Sequence, residues 1–291
     1  MARSATLGEQ REVTLLQGTI RYRERGSGEP LVFVHGVLVN GDLWRDVVPR
    51  VADQGYRCIT PDLPLGAHDV PLREDADLSP PGLARLIADL IGALELDGTT
   101  LVANDTAGAL SQILAVNHPE RLSRLVLTSC DAFDRFFPPL FRYLQVVAAV
   151  PGGLAVLGRL GRFKPVRRGP IAFGWLMRED PPREVVDSWT KPLRDPAVRR
   201  DAAKVLRGID KRFTLDAAER LGSFDKPTLL PWGTRDRVFP LEHAHRLAEI
   251  LPDARVVPVK DSYAFVPEDK PEELAQLIVE FVRDRQPASA G

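Results

Sequence analysis

The stretch Thr99-Thr100-Leu101-Val102-Ala103-Asn104-Asp105-Thr106-Ala107-Gly108-Ala109-Leu110 constrains this chain more than any other. It reads as a short apolar strand, a tight turn of small residues, and the start of a helix. Ala103, Ala107 and Gly108 leave room for a sharp, strained turn centred on Asp105. A turn of this kind lifts one side chain clear of the sheet end, where it can act as a nucleophile. The plainer reading is that Asp105 caps the helix that follows.

Taken in order, the chain supplies a frame around that turn. Residues 12–24 read as two strands joined at Gln17-Gly18. Pro30-Leu31-Val32-Phe33-Val34 is a continuous apolar run, the pattern of a strand buried on both faces. It ends in His35-Gly36-Val37, and a helix is expected from there through Val51. Tyr56 to Asp62 is the next strand, and Ser79-Pro80-Pro81 opens a helix running to about Leu94. The elbow, a helix to about His118 and the strand Leu125-Val126-Leu127-Thr128 follow.

The alternation stops at Asp131 and resumes with Pro227 to Gly233. After a helix over Leu241 to Leu251 comes a last strand, Arg255 to Val259, whose Pro258 predicts an edge position or a bulge. An amphipathic helix from Pro271 to about Arg285 precedes a small-residue tail from Gln286. The pattern predicts an α/β fold with a mostly parallel sheet flanked by helices. Residues 1–131 and 224–291 form the core, and 132–223 form a helical insertion after the sixth strand.

With 291 residues, 44% hydrophobic and 27% charged, the chain can bury a large core. A net charge of −1 argues against bulk nucleic-acid or membrane binding. The balance is uneven, however, with 17 Lys and Arg against 7 Asp and Glu between Arg135 and Leu215. That segment either steers an anionic substrate or is a solvated basic face packed on an acidic domain. No apolar run reaches the ~18–20 residues of a membrane span, and no secretion signal is visible. Cys58 and Cys130 read as buried thiols, and a cytoplasmic monomer or homodimer is expected.

The loops after the buried strands now carry a resemblance. His35-Gly36 after the third strand is similar to the oxyanion loop of α/β-hydrolases, and Trp232-Gly233-Thr234-Arg235-Asp236 to their acid loop. With the elbow and the insertion, the chain resembles a capped α/β-hydrolase along nearly its whole length. An aspartate in the elbow is similar to the branch of haloalkane dehalogenases and epoxide hydrolases. The resemblance implies that Asp105 attacks carbon to form an ester, that Asp236 is the acid, and that the amides of Val37 and Thr106 stabilise the oxyanion. It implies no cofactor and no metal, and a small, mostly apolar substrate between insertion and sheet.

The resemblance is incomplete at one position. The family places histidine in a Gly-His-Phe pattern after the last strand, where this chain has Tyr263-Ala264-Phe265. His68 and His243 are the remaining histidines considered for catalysis. Subfamily marks are absent too: Thr106 stands where haloalkane dehalogenases have Trp, and Val37 where they have Asn. Leu38 replaces the proline of the epoxide-hydrolase loop, and Tyr143 is the insertion's one tyrosine. Trp175, Tyr143, Tyr263 and His35 are expected near the substrate.

Three readings stay open. Ala264 replaces a histidine and arrests the ester; or Asp105 is a general acid or base in a non-hydrolytic reaction; or the fold binds a ligand without turning it over.

Overall fold

A computed structural model describes residues 4–284. Eight strands pair into one sheet. They are β1 (Glu9–Leu15), β2 (Gly18–Arg25), β3 (Pro30–Val34), β4 (Arg57–Pro61), β5 (Thr100–Asp105), β6 (Arg124–Cys130), β7 (Thr228–Gly233) and β8 (Ala254–Val259). The spatial order is β1-β2-β4-β3-β5-β6-β7-β8. β1 and β2 pair antiparallel, as do β2 and β4, and every other neighbour is parallel. The central strands β5, β6 and β7 are buried at every position, which is why they read as unbroken apolar runs. Pro258 lies on the edge strand β8, as its missing donor requires.

The helix expected through Val51 is a single 3₁₀ turn at Gly41–Trp44 followed by the short α1 (Val48–Ala52). Pro49 starts α1 afresh instead of continuing the turn before it. Further along, α2 (Pro80–Ala93) begins at Ser79, whose hydroxyl accepts from the Gly82 amide. The helix α3 (Thr106–Asn117) leaves the elbow almost entirely buried.

Between β6 and β7 the described residues form helices and turns only. These are α4 (Tyr143–Ala149), α5 (Gly153–Leu160), α6 (Lys164–Arg167), α7 (Arg183–Thr190), α8 (Pro196–Gly208) and α9 (Lys211–Arg220). The chain then returns to the core with α10 (Leu241–Ile250), α11 (Val266–Asp269) and α12 (Pro271–Asp284). The tail expected from Gln286 lies outside the described residues.

Polar ties hold the insertion over the sheet. Asn40 Nδ2 donates to Ser188 O at 3.0 Å, and Ser188 Oγ donates to Asp42 at 2.7 Å. Asp201 of α8 accepts from the Leu72 amide at 2.8 Å and lies 3.3 Å from His68 Nε2. The Phe265 amide donates to Leu176 O at 2.6 Å.

Candidate active site

Parallel strands end together, so the loops after β3, β5, β7 and β8 converge at one edge of the sheet. Asp105 stands at that edge with φ 58° and ψ −134°, in backbone territory that a side chain rarely occupies. Its carboxylate makes no capping bond to α3, so the plainer reading of this residue is overturned. Two glycines explain how so sharp a turn fits. A Cβ on Gly108 would lie 2.2 Å from Cys130 Cβ, which is how closely α3 approaches β6. One on Gly36 would lie 1.9 Å from Asp105 Oδ2, because that carboxylate occupies the space. The register slips at Asn104/Asp105, so Asp105 pairs with Cys130.

Asn104 stitches the converging loops together. Its Nδ2 donates to Thr128 Oγ1 at 2.8 Å, Thr128 O at 3.0 Å and Ala264 O at 2.9 Å. The loop carrying Ala264 in turn meets the acid loop, where the Arg235 amide donates to Ser262 O at 2.9 Å. Asp236 Oδ1 accepts from the amides of Val238 and Phe239 at 2.7 and 2.8 Å. Its Oδ2 is buried and has no hydrogen-bond partner in bonding geometry, although the Ser129 hydroxyl is near. Asp236 is half-buried as a residue, with Oδ2 itself buried.

The third acid of the site, Asp131, was not singled out in the sequence. It follows β6 directly and is wholly buried, and neither carboxylate oxygen has a partner in bonding geometry. Burial pushes Asp105 up to about 7, the charge on Asp236 adds to the rise, and the Thr106 amide opposes it. Burial likewise pushes Asp236 up to about 7, opposed by its two backbone donors. Asp131 is driven well above the ordinary carboxylate range, first by burial and then by the charge on Asp105. Burial thus disfavours the ionised form of each of the three acids.

Above Asp105 opens a cavity of about 790 Å³. Val37, Leu38, Phe137, Phe173 and Trp189 are among its walls, and Asp105 is the one charged side chain on them. The Leu38 amide is committed to Leu65 O at 2.9 Å, whereas the Val37 amide has no backbone acceptor among the described residues. Leu38, like Asp105, has a positive φ (60°). Tyr143 reaches the cavity, but its hydroxyl donates to Ile171 O at 2.6 Å.

Three expected contacts are corrected. His35 is fully buried away from the cavity: its Nε2 accepts from the Leu63 amide at 3.0 Å, and Nδ1 lies 2.9 Å from Gly36 O. It shapes the loop and has no free nitrogen for a substrate. Trp175 and Tyr263 flank Arg237 at 5.5 and 5.7 Å instead of facing the cavity. The tryptophan on the cavity wall is Trp189, packed edge-on against Phe265. His68 is held by Asp201 and the Gly66 amide, and His243 packs edge-on against Phe133. Ala264 is fully buried and brings no proton acceptor. Among the described residues no cluster of three or more His, Cys, Asp or Glu is arranged to hold a metal.

Known proteins bear on this arrangement. The family described as the alpha/beta hydrolase fold matches residues 29–155. A solved epoxide hydrolase superposes with a TM-score of 0.79 at 18% identity, covering 95% of this chain and 99% of its own. The structure of an ancestral haloalkane dehalogenase gives 0.76 at 22%, covering 94% and 98%. The chain has the α/β-hydrolase fold. Sequence relatives also align across most of the chain. Haloalkane dehalogenase 2 of Mycobacterium tuberculosis is 27% identical over 272 residues, 91% of each chain. A non-heme chloroperoxidase of Kitasatospora aureofaciens is 29% identical over 277 residues, 90% of this chain and 95% of its own. No helix among the described residues is long and apolar enough to cross a membrane.

Proposed function

We propose that this α/β-hydrolase-fold chain acts on a small, mostly apolar organic substrate, with Asp105 as a nucleophile toward carbon. The observation that carries this reading is the placement of Asp105, the charged group on an otherwise apolar cavity wall, on a strained elbow that does not cap its helix. Relatives named as haloalkane dehalogenases support an electrophilic carbon as the target.

In the first step a carboxylate oxygen of Asp105 bonds to carbon, and a halide leaves with the electron pair of the broken bond. With an epoxide the ring C–O bond breaks, and the alkoxide takes a proton from solvent water, leaving hydroxide. In this reading the amides of Val37 and Thr106 stabilise the tetrahedral oxyanion when the ester is cleaved.

The second step is where this chain departs from the resemblance. A histidine would activate water, and the unpartnered Oδ2 of Asp236 is the acceptor its ring N–H would use. Ala264 supplies neither, and general base catalysis is worth ~10²–10⁴-fold. Ester formation therefore outpaces release. Intact-protein mass spectrometry after exposure to haloalkane and epoxide panels tests this: a stoichiometric adduct forms on Asp105, persists, and is absent in Asp105→Ala. No adduct with any panel member, or one unchanged in Asp105→Ala, removes the nucleophile.

The raised proton affinity of Asp105 favours one second reading, proton transfer by its carboxyl group. A nucleophile and a general acid separate by pH, and a general base separates from the nucleophile by forming no adduct. A nucleophile gains as pH rises through about 7, because only the ionised form attacks, whereas a general acid loses over the same range.

A further inference from the structure

The helical insertion carries a surface that Asp105 chemistry does not require. Nine large apolar side chains are markedly exposed among the described residues, and seven of them lie between Val146 and Ile171. Six of the seven, Val146, Val150, Val156, Leu160, Val166 and Ile171, also border the cavity. The exposed patch and the cavity wall are thus one continuous apolar surface. Phe163, 61% exposed, sits beside it in a second cleft of about 980 Å³.

That second cleft is basic. Arg162 and Arg167 face it while paired with Asp187 and Asp180 at 3.3 and 3.0 Å. Arg159, Lys164, Arg183 and Arg194 also line it and have no carboxylate within ion-pair distance among the described residues. The sequence sharpens the point, since Arg135 to Arg178 holds eight Lys and Arg and no Asp or Glu. Exposed apolar side chains ringed by uncompensated cations match the chemistry of an anionic lipid interface. A second copy of this face would set like charges against each other. A nucleic acid would satisfy the cations and leave the aliphatic side chains in water.

We propose that this face of the insertion docks on an anionic lipid surface, with the cavity mouth turned toward the acyl chains so that an apolar ligand enters from the bilayer. The near-neutral total charge points away from membranes only because the rest of the chain offsets a strongly basic insertion. The proposal is independent of what Asp105 does, since its readout is binding.

The test is sedimentation of the purified full chain with phosphatidylcholine vesicles, and with vesicles of phosphatidylcholine and phosphatidylglycerol, at low and raised salt. The chain is expected to sediment with the anionic vesicles, to leave them as salt rises, and to ignore the neutral ones. Arg159→Ala and Lys164→Ala should each weaken association about fivefold, equivalent to ~1 kcal/mol per cation. Phe163→Asp should weaken it further. These side chains lie on the surface, and an unchanged circular dichroism spectrum and melting temperature verify the fold of each variant. Failure to bind anionic vesicles at low salt overturns the proposal, as does equal binding by all three variants. So does a dimer that Phe163→Asp dissolves in the absence of any lipid binding.

Discussion

The floor of the cavity and its roof are built on opposite terms. The floor is a parallel sheet whose strand ends hold three acids, Asp105, Asp131 and Asp236, whose proton affinity burial raises. The roof is a set of short helices that exposes aliphatic side chains and carries an excess of cations. Rigid pairing fixes the floor, so it can keep a strained residue and uncompensated charge. The roof is held by a few side-chain ties and by Trp189, Phe173 and Phe265, which cluster with ring centroids 5.4 to 6.5 Å apart. The difference assigns chemistry to the floor and access to the roof.

That division can be broken in several places. Trp189 is 1% exposed, and Trp189→Ala should cost ~3–5 kcal/mol by chemical denaturation, the largest effect expected in the roof. A loss below ~1 kcal/mol would mean that the aromatic cluster does not hold roof to floor.

In the floor the sign reverses. Asp105 rises from 3.8 to about 7 on folding, so between these values the folded state binds more protons than the unfolded chain. Stability conferred by the protonated form is present at low pH and is lost as pH rises toward 7. Asp105→Asn removes that loss and should stabilise the protein by ~2–4 kcal/mol at pH 8, and by little near pH 4. Denaturant midpoints at the two pH values check this, and a variant destabilised at pH 8 contradicts it.

Gly36→Ala places a methyl where the Asp105 carboxylate lies, and should cost ~1–3 kcal/mol while abolishing the covalent adduct. An adduct formed at the original rate would show that the carboxylate need not sit there. Trp175→Ala, beside Arg237 and off the cavity, should change stability by no more than ~1 kcal/mol and leave adduct formation as it was. Slower adduct formation would return Trp175 to the cavity wall.

Floor and roof also differ in how well they read from sequence. Strands buried on both faces leave continuous apolar runs, and Ser79, Pro80 and Pro258 punctuate them, so the strands themselves were legible, while their spatial order came only with the structure. The elbow was legible because only small residues tolerate the approach of α3 to β6. Asp131 was not, because a carboxylate after a strand usually faces water, whereas this one is fully buried. Trp175 and Trp189 looked alike in sequence; packing of α7 against Phe265 decides which of them meets the cavity. The exposed aliphatics of α4 and α5 carry ordinary helical spacing, which sequence reads as core.

The central claim is that the floor lacks one proton acceptor. Ala264→His tests it most directly, by following product release from the alkyl-enzyme with time. Release should accelerate by ~10²-fold or more, turning a single-turnover adduct into steady hydrolysis that depends on Asp236. An adduct that persists unchanged in a folded Ala264→His protein would contradict the account.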